Sequence, residues 1–449
     1  MQRESSVLVC RVFVFLVLTL LFIPVVASAQ DQGVQPSYPG HGPSQGKAEG
    51  AIGSFNVRFY GTFLLNTSFS DTPPIGGDVP LWAPPSSIRT SYPDGTSERV
   101  DDVHDLSFTA RQSVFGLTVR PTATGDWQTS GKLEFDFFGT RPSDGTLTTG
   151  RVLNQPRLRF AYFQFGKNDW KITAGQDKAI LAPLDPVSLS HVAIPLGSTA
   201  GNLWAWLPQV RFDYNKKFGE TSAVFQFGVL RPQFADPRLE SVVTSGTSIE
   251  GSPGLGERAS HPFYQARIGL SRPMSNSNLR FGASGHYGRE RIGADRTIDS
   301  WAFAVDFAVP VMEKLTWRGE AFVGSNLIPF QGGVQQGVAF AGAPSTTFNK
   351  IGAGGGWTEL IFELNSKDVL YAGVGVDDPR DRHLLTGSTR SRNAFAWASY
   401  FRKLTDNVTI ALEWSNWQFR TRSLTTGVAG AQGPSGTSNV FNLALAYQF

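Results

Sequence analysis

Arginine and carboxylate side chains recur at alternate positions along short segments of this 449-residue chain. Arg58, Arg111, Arg157, Arg159, Arg211, Arg267 and Arg280 fall on the polar parity of their segments. So do Glu134, Asp136, Asp213, Asp306, Glu320 and Glu359. A guanidinium can grip a carboxylate through two parallel hydrogen bonds, so this set suits recognition of anions. The same groups could instead pair with one another and brace a wall, and the residue types leave both roles open. Catalytic chemistry has less support. The six histidines are scattered with no pair at metal-ligand spacing. No serine, histidine and acid share a spacing and parity that would bring them together. Gly42-Pro-Ser-Gln-Gly46 matches a nucleophile-elbow pattern, but no buried strand precedes it and no helix follows it. Gly352-Ala-Gly-Gly-Gly356 leads into a strand, where a phosphate-cradling loop would need a helix. Its glycines suit a bend or bulge. Nothing here implies a metal, a cofactor or an enzyme.

Parity has meaning only on strands, and the chain is built of them. Period-two segments separated by turn residues fall near 55–69, 106–120, 127–139, 156–166, 169–176, 208–215, 221–231 and 262–272. They continue near 278–289, 299–309, 314–324, 355–364, 368–377, 391–402, 407–420 and 438–449. In the first, Phe55, Val57, Phe59 and Phe63 lie on one face, with Asn56 and Arg58 on the other. In the last, Phe441, Leu443, Leu445, Tyr447 and Phe449 alternate with Asn442, Ala444, Ala446 and Gln448. An apolar face that ends the chain on an aromatic is what a lipid-facing closing strand requires.

The N-terminus reads as an export signal over residues 1–29. Arg3 and Arg11 precede an apolar run from Val12 to Val26, and Ala27-Ser28-Ala29 follows as a small-x-small site. That run falls short of the roughly 20 residues a transmembrane helix needs. Cys10 leaves with the signal, so the mature chain has neither disulfides nor thiolate metal sites. What remains has 38 basic and 36 acidic residues, a balance that implies no nucleic-acid partner. Residues 30–53 are rich in Pro, Gly, Ser and Gln, and the expectation is a flexible periplasmic tail.

Sixteen strands and no apolar helix leave one way across lipid, a closed antiparallel β-barrel over 54–449. The connections alternate short and long. Ala123–Asp126, Gly166–Asp169, Asn215–Gly219, Asn365–Asp368 and Leu404–Asn407 are tight, whereas 70–105, 140–155, 177–207, 232–261 and 325–354 are long. Tight turns face the periplasm in such barrels, so both termini are expected there. Trp127, Trp170, Trp317, Trp414 and Tyr447 suit the interfacial girdles.

The chain resembles the sixteen-stranded bacterial outer-membrane porins. Ser113-Val-Phe-Gly-Leu-Thr-Val and Gly131-Lys-Leu-Glu-Phe-Asp-Phe resemble their second and third strands. Arg157-Leu-Arg-Phe-Ala-Tyr-Phe-Gln-Phe and Trp170-Lys-Ile-Thr-Ala-Gly-Gln176 resemble the fourth and fifth. Trp204-Ala-Trp-Leu-Pro-Gln-Val-Arg-Phe-Asp-Tyr and Gly355-Gly-Trp-Thr-Glu-Leu360 are similar to the DcaP-like branch. The resemblance implies a homotrimer in the outer membrane, passive diffusion of small and often anionic or dicarboxylate solutes, and assembly by the barrel-assembly machinery through the strand ending at Phe449. It also implies that the third extracellular loop, Gln176 to Pro208, folds inward as a constriction with Asp177 and Asp185 near the pore axis. Its Pro183, Pro186 and Pro195 would stiffen it. The denser arginines of the early strands favour anions. The competing readings are an outer-membrane barrel enzyme and a structural or adhesin barrel without an open pore.

Overall fold

The structure is a computed structural model that describes residues 49–122, 125–139, 154–234, 254–274, 277–340, 348–385, 389–422 and 432–449. The expected signal peptide and residues 30–48 of the expected tail lie outside the described residues. β1 spans Phe55–Ser70, and β2 runs in two halves, Asp105–Thr109 and Val114–Pro121. Then come β3 Gln128–Gly139, β4 Gln155–Lys167, β5 Trp170–Lys178, β6 Trp206–Phe218, β7 Thr221–Leu230, β8 Phe263–Met274 and β9 Ser277–Gly293. The rest are β10 Arg296–Met312, β11 Leu315–Ser325, β12 Gly352–Glu363, β13 Asp368–Pro379, β14 Arg390–Lys403, β15 Val408–Arg422 and β16 Gln432–Gln448. Each pairs antiparallel with the next. β16 pairs back onto β1 from Thr62↔Gln448 to Ser70↔Val440, which closes a sixteen-stranded barrel.

No helix among the described residues is long and apolar enough to cross a membrane. Closure makes one unnecessary, because backbone N–H and C=O groups pair between strands. The period-two pattern becomes the two faces of the wall. On β16, Phe441, Leu445 and Tyr447 are exposed on the outside, while Val440, Asn442, Ala444 and Ala446 are buried.

The seam lies partway along β1. Phe449 sits opposite Gly61, not beside Phe55, and the two exchange both backbone hydrogen bonds at 3.1 Å. The edge of β1 left over is covered by Glu49–Ile52, which pairs from Ile52↔Phe55 to Glu49↔Arg58. The end of the expected tail is therefore a strand. An uncovered edge would leave unpaired backbone groups and a template for association.

β2 is not the continuous strand that its alternation predicts. Asn66 pairs with Thr109 and Thr62 with Val114, so four residues of β2 face three of β1. This is a bulge. It reverses the parity: Leu106 and Phe108 are exposed before it, and after it Phe115 packs on the outward Phe63. Arg111 thus stands in the bulge and not at a regular inward position. A second register shift separates Glu134↔Phe160 from Phe135↔Leu158 and leaves Arg159 without an opposite residue.

The barrel's inner face is more apolar than its arginines suggest. Trp397 and Trp417 point inward and are fully buried, in a cluster with Leu196, Ala200, Val334, Phe395 and Phe419. Leu64, Tyr371 and Phe401 gather around Val187, Leu189 and Val192. In both clusters the apolar wall packs against the long connection between β5 and β6.

Candidate functional site

Many of the inward charges come as pairs, and several of the pairs are one-sided. Asp136 accepts from Arg157 at 2.6 Å and from Arg159 at 2.9 Å, and Glu134 accepts from Arg159 at 2.8 Å and Tyr60 at 2.8 Å. Arg111 bridges to Asp78 in the connection after β1, and Arg267 grips Asp306 with two hydrogen bonds. The side chains of Lys132, Arg157 and Lys171 are 24%, 26% and 38% exposed, while their partners Glu134, Asp136 and Asp213 are 5%, 0% and 3% exposed. The base faces the water and the acid stands behind it. Charge is neutralised in the wall, and the better exposed member of each of these three pairs is the cation. The two-to-one pairing of Asp136 also gives the acid enough hydrogen bonds to remain buried.

The remaining expected residues divide as follows. Arg211 lies between Asp177 and Asp213, at 2.9 and 3.2 Å, and Asp177 belongs to the end of β5 instead of the following loop. Asp185 pairs with Lys178 at 2.5 Å. Arg280 stands half-buried on β9, near the face where Gly282 meets Asp306. Arg58 is set apart: its Nε and Nη2 are buried with no hydrogen-bond partner among the described residues. Among the described residues no group of three or more His, Cys, Asp or Glu could hold a metal ion.

Aromatic rings separate the cations of the early strands. The Trp206 ring lies 5.0 Å from the Arg157 guanidinium and 4.5 Å from that of Arg159. Phe138 lies 3.9 Å from Arg111 and 5.2 Å from Arg157, and Lys132 sits 4.3 Å over Phe160. These contacts let like charges share one wall, because each meets the negative face of a ring.

Residues 179–205 are held by inward side chains taken in strand order. Gln265 of β8 accepts from the N–H of Ile180 and Leu181, Ser284 of β9 from Ala182, Glu320 of β11 from Leu184, and Glu359 of β12 from Val187. Asn66 of β1 donates to Leu189 O, and Arg159 and Arg157 of β4 donate to Val192 O and Ala193 O. Gln112, in the β2 bulge, donates to Ser190 O at 2.8 Å and accepts from Val192 and Ala193 N–H at 2.9 and 3.0 Å. Beyond that, Asn393 of β14 donates to Thr199 O and to Leu81 O, which joins this segment to the connection after β1. Strands on all sides of the barrel thus touch one segment. Burial pushes the imidazole of His191, in this segment, down to about 3, so it is neutral.

Sequence reasoning singled out charges and missed the amides and one arginine. Gln265 and Asn66 lie at inward parity, which was readable. Arg318 shares the parity of Glu320 and pairs with the buried Glu359 at 2.7 Å while donating to Asp185 O. Gln112 had no signal, because its direction depends on the bulge.

No family model matches the sequence, and no curated protein matches it. Among solved structures, the chain is similar to the outer membrane channel DcaP of Acinetobacter baumannii, with a TM-score of 0.62 at 16% identity over 88% of this chain and 98% of that one. It is similar to OmpT, an outer membrane protein of Vibrio cholerae, with a TM-score of 0.51 at 12% identity over 90% and 100%. It is also similar to an anion-selective porin from Comamonas acidovorans, with a TM-score of 0.51 at 11% identity over 88% and 100%. Identities this low speak for the fold. The chain therefore has the closed sixteen-stranded barrel fold of outer-membrane porins, and the DcaP channel is one of its structural neighbours.

Proposed function

We propose that this protein is an outer-membrane porin for passive diffusion of small hydrophilic solutes, with a mild preference for anions and carboxylates. The observation that carries it is the one-sidedness of the ion pairs. Lys132, Arg157 and Lys171 are the exposed members, and their acids are buried behind them. A solute passing that wall meets donors able to bind a carboxylate. Residues 179–205 narrow the path, and Asp177 and Asp185 act in this reading through Arg211 and Lys178 instead of as free charges. Arg58, Arg267 and Arg280 line the remainder. Both termini lie on the periplasmic side, the strand ending at Phe449 engages the assembly machinery, and three copies form the working unit. The chain has no catalytic role in this reading.

The test is conductance in a planar bilayer with a KCl gradient. The expected result is ohmic current with a reversal potential on the chloride side. Better permeation by cations removes the anion preference, and no current at all removes the porin. A barrel with a closed lumen is the second reading. It is favoured by the apolar clusters that seat residues 179–205 on the inner wall, and it predicts that second outcome.

A further inference from the structure

Two cations face each other on the outside of the barrel at its long-loop end. Arg392 of β14 and Arg420 of β15 are directly opposite in the register. The inward residues of these strands, Asn393, Phe395, Trp397, Trp417 and Phe419, are buried, so both arginines take the outward parity. Arg420 is exposed and Arg392 half-exposed. Like charges directly opposite on neighbouring strands repel. Asp378, at the outward parity of β13, lies within electrostatic reach of both arginines and also of Asp381.

The wall below the pair is shaped as a lane. Ala394, Ala396 and Ala398 occupy the outward positions of β14 that lead away from Arg392 into the apolar band. Val376, Val374 and Ala372 flank them on β13, and Gln418, Asn416 and Trp414 on β15. The lane from Arg392 to Ala398 is about 20 Å long at the usual rise of a strand. It is polar at its upper end and apolar below, like the lipid beside it.

The choice of base agrees with an anionic occupant. The short turns and their flanks carry six lysines, Lys167, Lys216, Lys217, Lys314, Lys367 and Lys403, whereas the long connections and their flanks hold two, Lys178 and Lys350, and many arginines. A planar guanidinium fork binds phosphate oxygens in pairs, whereas an ammonium acts as a point charge.

We propose that Arg392 and Arg420 hold the phosphate of a phosphorylated lipid in the leaflet at the long-loop end, with an acyl chain lying along Ala394–Ala398. The proposal rests on the barrel being embedded in a membrane and is independent of what crosses the lumen.

The full-length protein in nonionic detergent is mixed with diphosphoryl lipid A, or with the same lipid after enzymatic removal of its phosphates, and retained lipid is counted by native mass spectrometry. The phosphorylated lipid is retained, and R392Q/R420Q weakens its binding about 30-fold, the value for two arginines at a charged lipid surface. R392K/R420K keeps the charge, folds with the least disturbance, and binds between the two. Equal retention by the glutamine variant, or of the dephosphorylated lipid, overturns the proposal. Inorganic phosphate binding as tightly as the lipid overturns the assignment to a lipid. Loss of oligomeric mass in the glutamine variant with unchanged lipid makes the patch a contact between copies and also overturns it. Bilayer conductance is recorded in parallel. Its absence from the wild type counts against the porin and leaves the lipid measurement standing.

Discussion

Gly61 of the first barrel strand lies flat against the ring of Phe449, the last residue. A Cβ at Gly61 would fall 2.7 Å from the Phe449 ring and 2.8 Å from Val114 O. The ring stands 5.3 Å from that of Phe63 and 6.1 Å from that of Phe115, so the seam is sealed by an aromatic laid over a glycine on the outer wall.

Closure should therefore tolerate no side chain at Gly61. Gly61→Val forces the ring or the Val114 carbonyl to move, at about 1–3 kcal/mol for overpacking. The expected outcome is a smaller fraction of the heat-modifiable folded form on refolding into micelles. Wild-type yield for this variant would mean the seam has slack.

Asp136 is the acid on which two arginines depend. Asp136→Asn leaves Arg157 and Arg159 facing each other with less counter-charge, and removing one partner from a buried pair costs about 3–5 kcal/mol. The unfolding midpoint in urea should fall clearly. Arg157→Ala, at the exposed side of the same pair, should cost less stability and shift the reversal potential toward cations. The comparison fails if the two variants change stability equally.

Gln112 makes three hydrogen bonds to residues 190–193. Gln112→Ala removes an acceptor for two amides and a donor to Ser190 O. Each lost bond counts about 1 kcal/mol, more where a buried partner stays unpaired. Single-channel records should show larger or noisier conductance while the barrel itself stays as resistant to unfolding as before. Unchanged conductance would place the path away from this segment.

His191 sets a pH window. Burial lowers its imidazole from the ordinary 6.5 to about 3, so the packed segment keeps it neutral. Below pH 6.5 a released segment takes up a proton that the packed one refuses. Packing therefore loses stability as pH falls from about 6.5 toward 3, and is unaffected above that range. Current fluctuations should rise between pH 6 and pH 4 in the wild type, and the rise should be smaller in His191→Phe. Equal acid sensitivity in both proteins would assign the effect to other groups.

Alternation along each segment determined the class of the protein, the number of strands and the face of those arginines that sit on regular strands. Period-two patterning is local: a residue's side of the sheet follows from its neighbours two positions away. The Arg157, Arg159 and Glu134 positions were legible for that reason. The break at Ala110–Ser113 was not, because a bulge is defined by the strand opposite, and it redirected Arg111 and Gln112. Arg318 shares the inward parity of Glu320, two residues on, and is legible for the same reason.

What only the tertiary structure decided is which charges meet. Arg157 and Asp136 lie on neighbouring strands, and their pairing depends on a register shift that no single segment encodes. The seat of residues 179–205 depends on amides and carboxylates drawn from strands across the whole barrel. A strand's pattern states which way a side chain points. Only closure of the sheet brings those side chains to a common interior, and there the balance between exposed bases and buried acids is set.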